Sequence, residues 1–292
     1  MEYGSINMKF WKPHVDVKSR SRVLIIGGSN TGKSTVTEHL MYLHKNIPDW
    51  VVISGSESFN PRFSKRLPAC FIHFAYSDDL LHKIISEREA YVKRIVDKYK
   101  HRVPSDVDDL KDWLFDNGYL KPMGLVIDDQ GAVADLQRSK LFAQFVTVSR
   151  HLQMLLLVCQ HHTKGLAPTA RDSFDYVIAC REPSRVIRKN LYHQFFGNFE
   201  DEKQFNKTFD MCSGNYEVLV ARKRVQSNNI NDVMRYWKAD IDIVKSDFKC
   251  GSRKSWDYYR NVYKPKETSG SSFDIFMKQP VKKKQATIQK EF

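Results

Sequence analysis

Residues 22–43 read RVLIIGGSNTGKSTVTEHLMYL, and the eight from Gly27 to Ser34 satisfy the spacing G-x-x-x-x-G-K-[ST]. Few local folds accommodate such a segment. Val23–Ile26 is apolar at every position and suits a strand buried on both faces, while the residues after Lys33 have the apolar spacing of a helix. A strand, a glycine-rich turn and a helix in that order aim successive backbone N–H groups and the positive helix end at one point, which makes a cradle for phosphate. There Lys33 is expected to reach the β- and γ-phosphates of ATP and the Ser34 hydroxyl to ligate Mg²⁺. Gly27, Gly28, Ser29, Asn30, Thr31, Gly32 and Thr35 are expected to complete the nucleotide site.

A loop of this kind needs a carboxylate to hold the cation. Leu125-Val126-Ile127-Asp128-Asp129 supplies one at the end of an apolar run. Asp128 is the expected metal-shell residue. Asp129 is then placed to orient and deprotonate an attacking water, so the pair points to hydrolysis as well as binding.

Short aliphatic runs alternate with longer amphipathic ones along the chain, the pattern of a mostly parallel sheet flanked by helices. Expected strands are Arg22–Ile26, Trp50–Ser54, Phe71–Ala75, Gly124–Asp128, Met154–Cys159, Asp175–Cys180 and Glu217–Arg222. Expected helices are Lys33–Leu43, Asp78–Lys98, Asp135–His151 and Pro183–Phe196. Lys98–Pro122 reads as an insertion on the domain edge, with Pro104-Ser105 able to start a short helix and Asn117-Gly118 able to end it. The division this suggests is an N-terminal extension over 1–20, a P-loop ATPase domain over 21–240 and a basic, partly flexible C-terminal region over 241–292.

The formal net charge of +13 is concentrated: residues 221–292 hold 17 Lys/Arg against 8 Asp/Glu, nine of the thirteen surplus charges. Concentration of this kind suggests a polyanionic partner rather than a general aid to solubility. The five cysteines are widely spaced with no C-x-x-C pair, which argues against a zinc site or a disulfide framework. No apolar run approaches the ~20 residues needed to span a bilayer, and the first 18 residues lack the apolar core of a signal peptide, so a soluble intracellular protein is expected. His161 and His162 are neighbours that would point to opposite sides of an extended chain, a poor metal pair.

A further stretch, Ser149-Arg150-His151 followed by Met154–Cys159 and Gln160, completes a series. The loop, the strand ending in two acids, an Arg-His turn and a strand closing on Gln occur here in the order found in the FtsK and HerA superfamily of DNA-pumping ATPases. More narrowly, the chain resembles the poxvirus-type genome-packaging ATPases of large DNA viruses. The resemblance implies a RecA-like (ASCE-type) P-loop NTPase. It assigns Gln160 as a polar sensor of the terminal phosphate and Arg150 as the guanidinium offered to a neighbouring subunit's ATP. Ser149 stands where the family commonly has Gly, and Arg171 or Arg181 could serve in place of Arg150.

The partners implied are double-stranded DNA, further copies of the chain in a pentameric or hexameric ring, and a capsid or portal-vertex protein. The place implied is the virus assembly site in host cytoplasm or nucleus, with possible association with the virion. Phosphate-backbone contact is expected from Arg222-Lys223-Arg224 and Arg253-Lys254, with Lys282–Lys284 read as tail or nuclear-localisation signal; Trp256, Tyr258 and Tyr259 are available to stack on exposed bases. Two other readings stay open: a non-packaging translocase of a mobile element, and a nucleotide-switched assembly protein.

Overall fold

A computed structural model of the chain describes residues 6–128, 136, 139–162 and 166–263. Nine strands form one sheet: β1 (Lys9–Phe10), β2 (Arg22–Ile26), β3 (Asp49–Ser54), β4 (Ile72–His73), β5 (Met123–Asp128), β6 (Met154–Gln160), β7 (Tyr176–Ala179), β8 (Glu217–Arg222) and β9 (Met234–Lys238). Their order is β1-β9-β8-β7-β2-β6-β5-β3-β4. All ladders are parallel except those that β8 makes with β7 and β9.

The apolar runs that predicted central strands are central. β2 and β6 are buried at every position, because both faces of the sheet are covered. Alternate residues divide between two cores, Leu24, Ile26, Leu125, Ile127, Leu156 and Val158 on one face, Val23, Ile25, Val126, Leu155 and Leu157 on the other. Helices Asp78–Tyr99, Lys140–Val148, Arg185–Phe195 and Glu202–Cys212 pack on the first face. The Lys33–Leu43 helix and the segment through Phe248 and Cys250 pack on the second. Phe199, Phe205 and Phe209 are core residues, whereas Met211 is exposed.

Several elements differ from the sequence reading. Within the expected helix 135–151 the described helix is Lys140–Val148, capped by Ser139 and followed by a 3₁₀ turn over Ser149–Leu152. The expected strand Phe71–Ala75 contracts to Ile72–His73, since only those residues find partners on β3. In the edge insertion the helix is Leu110–Asp116, started by Asp109 rather than by Pro104-Ser105: the Asp109 carboxylate accepts from the N–H groups of Lys111 and Asp112, a stronger cap than a proline turn. That insertion closes on its own small core of Val92, Leu114 and Leu120. Residues 9–11 join the sheet through β9, with Trp11 wholly buried against Tyr176 and Trp237.

Buried ions fix the elements around the loop. Arg22 pairs with Asp175 at 2.9 Å, and the same carboxylate accepts the Arg22 N–H, locking β2 to the start of β7. Arg66 pairs with Glu38 on the loop's helix at 2.9 Å while donating to the carbonyls of Val244 and Ser246, which straps the 241–250 segment across that helix. Burial raises the Glu38 carboxyl despite both Arg66 and Arg62, so the pair serves geometry more than stability.

Candidate active site

Parallel strands bring their carboxyl ends to one edge, and β2 sits between β6 and β7, so the residues leaving these strands converge. Gly27 leaves β2 with its N–H bonded to the Gln160 carbonyl at 3.2 Å. A Cβ at Gly27 would stand 2.7 Å from the Cys180 Cβ and 2.5 Å from Thr31 Oγ1; glycine is required here by close approach to β7. Asn30 (φ 59°) and Gly32 (φ 95°) turn the chain through left-handed conformations into the Lys33–Leu43 helix. Thr31 Oγ1 braces the loop by donating to the Gly28 carbonyl at 2.8 Å.

Lys33 points back over the loop and donates to the carbonyls of Gly27 (2.8 Å) and Gly28 (2.7 Å), with the His161 imidazole 3.4 Å away. Asp128 ends β5 with its side chain buried, and Ser54 at the end of β3 donates to it at 3.0 Å. Between Asp128 and the loop's helix lies Cys159, 3.1 Å from Thr37 Oγ1. Burial, reinforced by Asp128, pushes the Cys159 thiol well up, and burial pushes Cys180 up to about 12, so both thiols flanking β2 stay neutral. Gln160 closes β6 with its side chain 3% exposed, and its Nε2 has no hydrogen-bond partner among the described residues. A buried donor without an acceptor is costly, and a phosphate oxygen would satisfy it.

Lys33, Ser34, Asp128 and Gln160 are therefore drawn to one end of three adjacent strands, β5, β6 and β2. A hydroxyl at Ser34 and a carboxylate at Asp128 are hard oxygen donors of the kind Mg²⁺ takes together with substrate phosphates. Among the described residues no group of three or more His, Cys, Asp or Glu forms a self-sufficient metal cage, which this mode of binding does not need. Asp129, the expected base, lies outside the described residues, as do Lys282–Lys284.

Arg150 stands elsewhere. It belongs to the 3₁₀ turn Ser149–Leu152 that precedes β6, so the seven residues of that strand, about 23 Å, separate it from its own loop. Arg171 likewise precedes β7. Arg181 follows β7 at the loop end of the sheet, and its guanidinium lies beside Gly214.

The basic clusters also separate. Arg222, Lys223 and Arg224 face Asp16, Asp172 and Asp175 respectively. Arg253 and Lys254 open the exposed helix Arg253–Asn261, beside a cavity of about 430 Å³ lined by Lys249, Arg253, Trp256, Tyr259 and Arg260. Lys249 also lines a cavity of about 410 Å³ with Arg62, Lys65, Arg66 and Lys245. Sequence reasoning missed this groove because its cations come from segments about 180 residues apart. It also missed Ser54, and Glu182 and Tyr216, which stand 3.5 and 3.3 Å from where a Cβ on Gly28 and on Gly32 would lie; no local pattern marks them.

No protein-family model matches the chain. Over 245 residues it is 23% identical to the uncharacterized protein L437 of Acanthamoeba polyphaga mimivirus, covering 83% of this chain and 80% of that one. It superposes on ATPases 2 and 3 of EssC from Geobacillus thermodenitrificans with a TM-score of 0.52 at 13% identity, covering 85% of this chain and 46% of that one. The fold is that of a P-loop ATPase. The genome packaging NTPase B204 of Sulfolobus turreted icosahedral virus 2, in complex with AMP, is a structural neighbour of the chain at 12% identity and a TM-score of 0.47, covering 77% of this chain and 100% of that one. Among the described residues no helix is long and apolar enough to cross a membrane.

Proposed function

We propose that this chain hydrolyses ATP to drive double-stranded DNA, as a homo-oligomeric ring, into a preformed viral capsid. The observation that carries the reading is the meeting of Lys33, Asp128 and Gln160 at one loop, on a sheet whose strand order brings β5, β6 and β2 side by side. Relatives in large DNA viruses support the viral setting.

In this reading the loop N–H groups and Lys33 bind and orient the triphosphate, and the Gln160 amide donates to its terminal oxygen. Ser34 and Asp128 would hold Mg²⁺, which supplies neutralisation of the charge that develops on the phosphates. Asp129, next along from Asp128, takes the proton of the attacking water. Arg150, remote from its own loop and exposed, would serve a neighbouring subunit, where a guanidinium against the transferring phosphoryl group is worth roughly 10³ to 10⁵ in rate. Arg181 is the alternative for action within one chain. The capsid or portal-vertex contact belongs to the same proposal.

ATP turnover measured with and without double-stranded DNA tests the motor. DNA should raise turnover at low salt; a folded oligomer indifferent to DNA refutes it. Asp129→Asn should abolish turnover and leave ATP binding in place.

A further inference from the structure

We infer that Tyr216 is the platform on which the base of the bound nucleotide stacks; this rests on the nucleotide-binding reading of the loop above. Tyr216 is the second central residue of a tight turn, Gly214-Asn215-Tyr216-Glu217, closed by Glu217 N–H donating to the Gly214 carbonyl at 2.9 Å. Both central residues are left-handed, Asn215 at φ 51° and Tyr216 at φ 63°. Turns of this hand favour Asn at the first position and Gly at the second. A bulky side chain in that second place is an outlier that the turn itself does not call for. What the position supplies is therefore the ring.

The ring lies against the phosphate loop. Its Cδ1 is 3.3 Å from where a Cβ on Gly32 would stand, and Gly32 immediately precedes Lys33. The residue is 40% exposed, and its ring stacks on no other aromatic ring among the described residues. The backbone beneath it is held, since the Tyr216 carbonyl accepts from Ala239 N–H at 3.1 Å. A fixed aromatic face beside a triphosphate cradle suits a purine, which stacks without regard to hydrogen-bonding edge.

A second observation lies beside Gly28 of the same loop. Glu182, just past β7, is 3% exposed; one carboxylate oxygen accepts from Ser184 N–H at 2.9 Å, and the other, Oε2, has no partner among the described residues. That oxygen is 3.5 Å from where a Cβ on Gly28 would stand. A hydroxyl of the sugar joining base to phosphates is the donor such an acceptor calls for.

Calorimetric binding of ATP and of inorganic tripolyphosphate to the full chain separates base from phosphates. For Tyr216→Gly, which relieves the turn, thermal stability should hold or rise. ATP affinity should fall about tenfold and tripolyphosphate affinity should stay unchanged. Tyr216→Phe should bind ATP as the unmodified chain does. ATP bound equally by Tyr216→Gly overturns the assignment, as does equal loss of both ligands, which would mean a disturbed loop. An unmodified chain that binds neither ligand refutes the loop reading itself.

Discussion

Gly27→Ala gives the sharpest test of how the loop is built. The added methyl would stand 2.7 Å from the Cys180 Cβ and 2.5 Å from Thr31 Oγ1, both inside van der Waals contact. Thr31 can rotate away at the loss of its bond to the Gly28 carbonyl. Cys180 cannot, because its N–H is tied to the Ile26 carbonyl at 2.7 Å and its side chain is wholly buried. Relief must come from parting β2 and β7 or from lifting the loop. Overpacking of this kind costs about 1 to 3 kcal/mol. With an unfolding entropy of about 2.1 cal/mol/K per residue, that cost lowers Tm by roughly 2 to 5 °C for a chain of this length. The same shift moves the Gly27 and Gly28 carbonyls that seat the Lys33 ammonium, so ATP affinity should fall at least tenfold. Calorimetry gives both numbers. Adding Cys180→Gly should return part of the stability, a positive coupling between contacting sites. Wild-type Tm and ATP affinity in Gly27→Ala would refute the reasoning.

Burial lowers the His44 imidazole to about 4. The folded state thus binds its proton less readily than the unfolded one, so its stabilising effect is complete above pH 6.5 and fades as pH falls towards 4. The full swing is about 3 kcal/mol. Thermal melts between pH 7 and 4 should show that loss, flattened in His44→Gln; an identical acid limb in the variant contradicts it. Lys65 and Lys245 are exposed cations lining the groove beside Lys249, so their joint replacement by Ala should weaken duplex DNA binding and reduce the salt slope by about 2. Lys223→Ala with Arg224→Ala, which removes the ion-pair partner of Asp172 and leaves Asp175 with Arg22 alone, should instead lower Tm and leave the slope unchanged. Fluorescence anisotropy over a salt series reads both.

Legibility followed locality. The Lys33–Leu43 helix and the Glu217–Arg222 strand matched their expected bounds, since caps and apolar runs are properties of adjacent residues. β9 and β1 went unseen: Lys9 and Phe10 become a strand only by pairing with Arg235 and Tyr236, more than two hundred residues on. The helix at Glu202–Cys212 was not among the expected elements; its buried Phe205 and Phe209 gain their place only by packing on the sheet face.

By itself the sequence determined the glycine-rich turn after β2, the acid ending β5 and the Gln ending β6, because each motif is a short stretch whose local structure is carried by its own residues. Tertiary structure alone decided which arginines lie near that loop, which basic clusters are already paired, and that Ser54, Glu182 and Tyr216 stand around it. The reason is physical. Side-by-side strands juxtapose residues in space by ladder order rather than by chain order, and charge pairing depends on what the fold brings within a few ångströms.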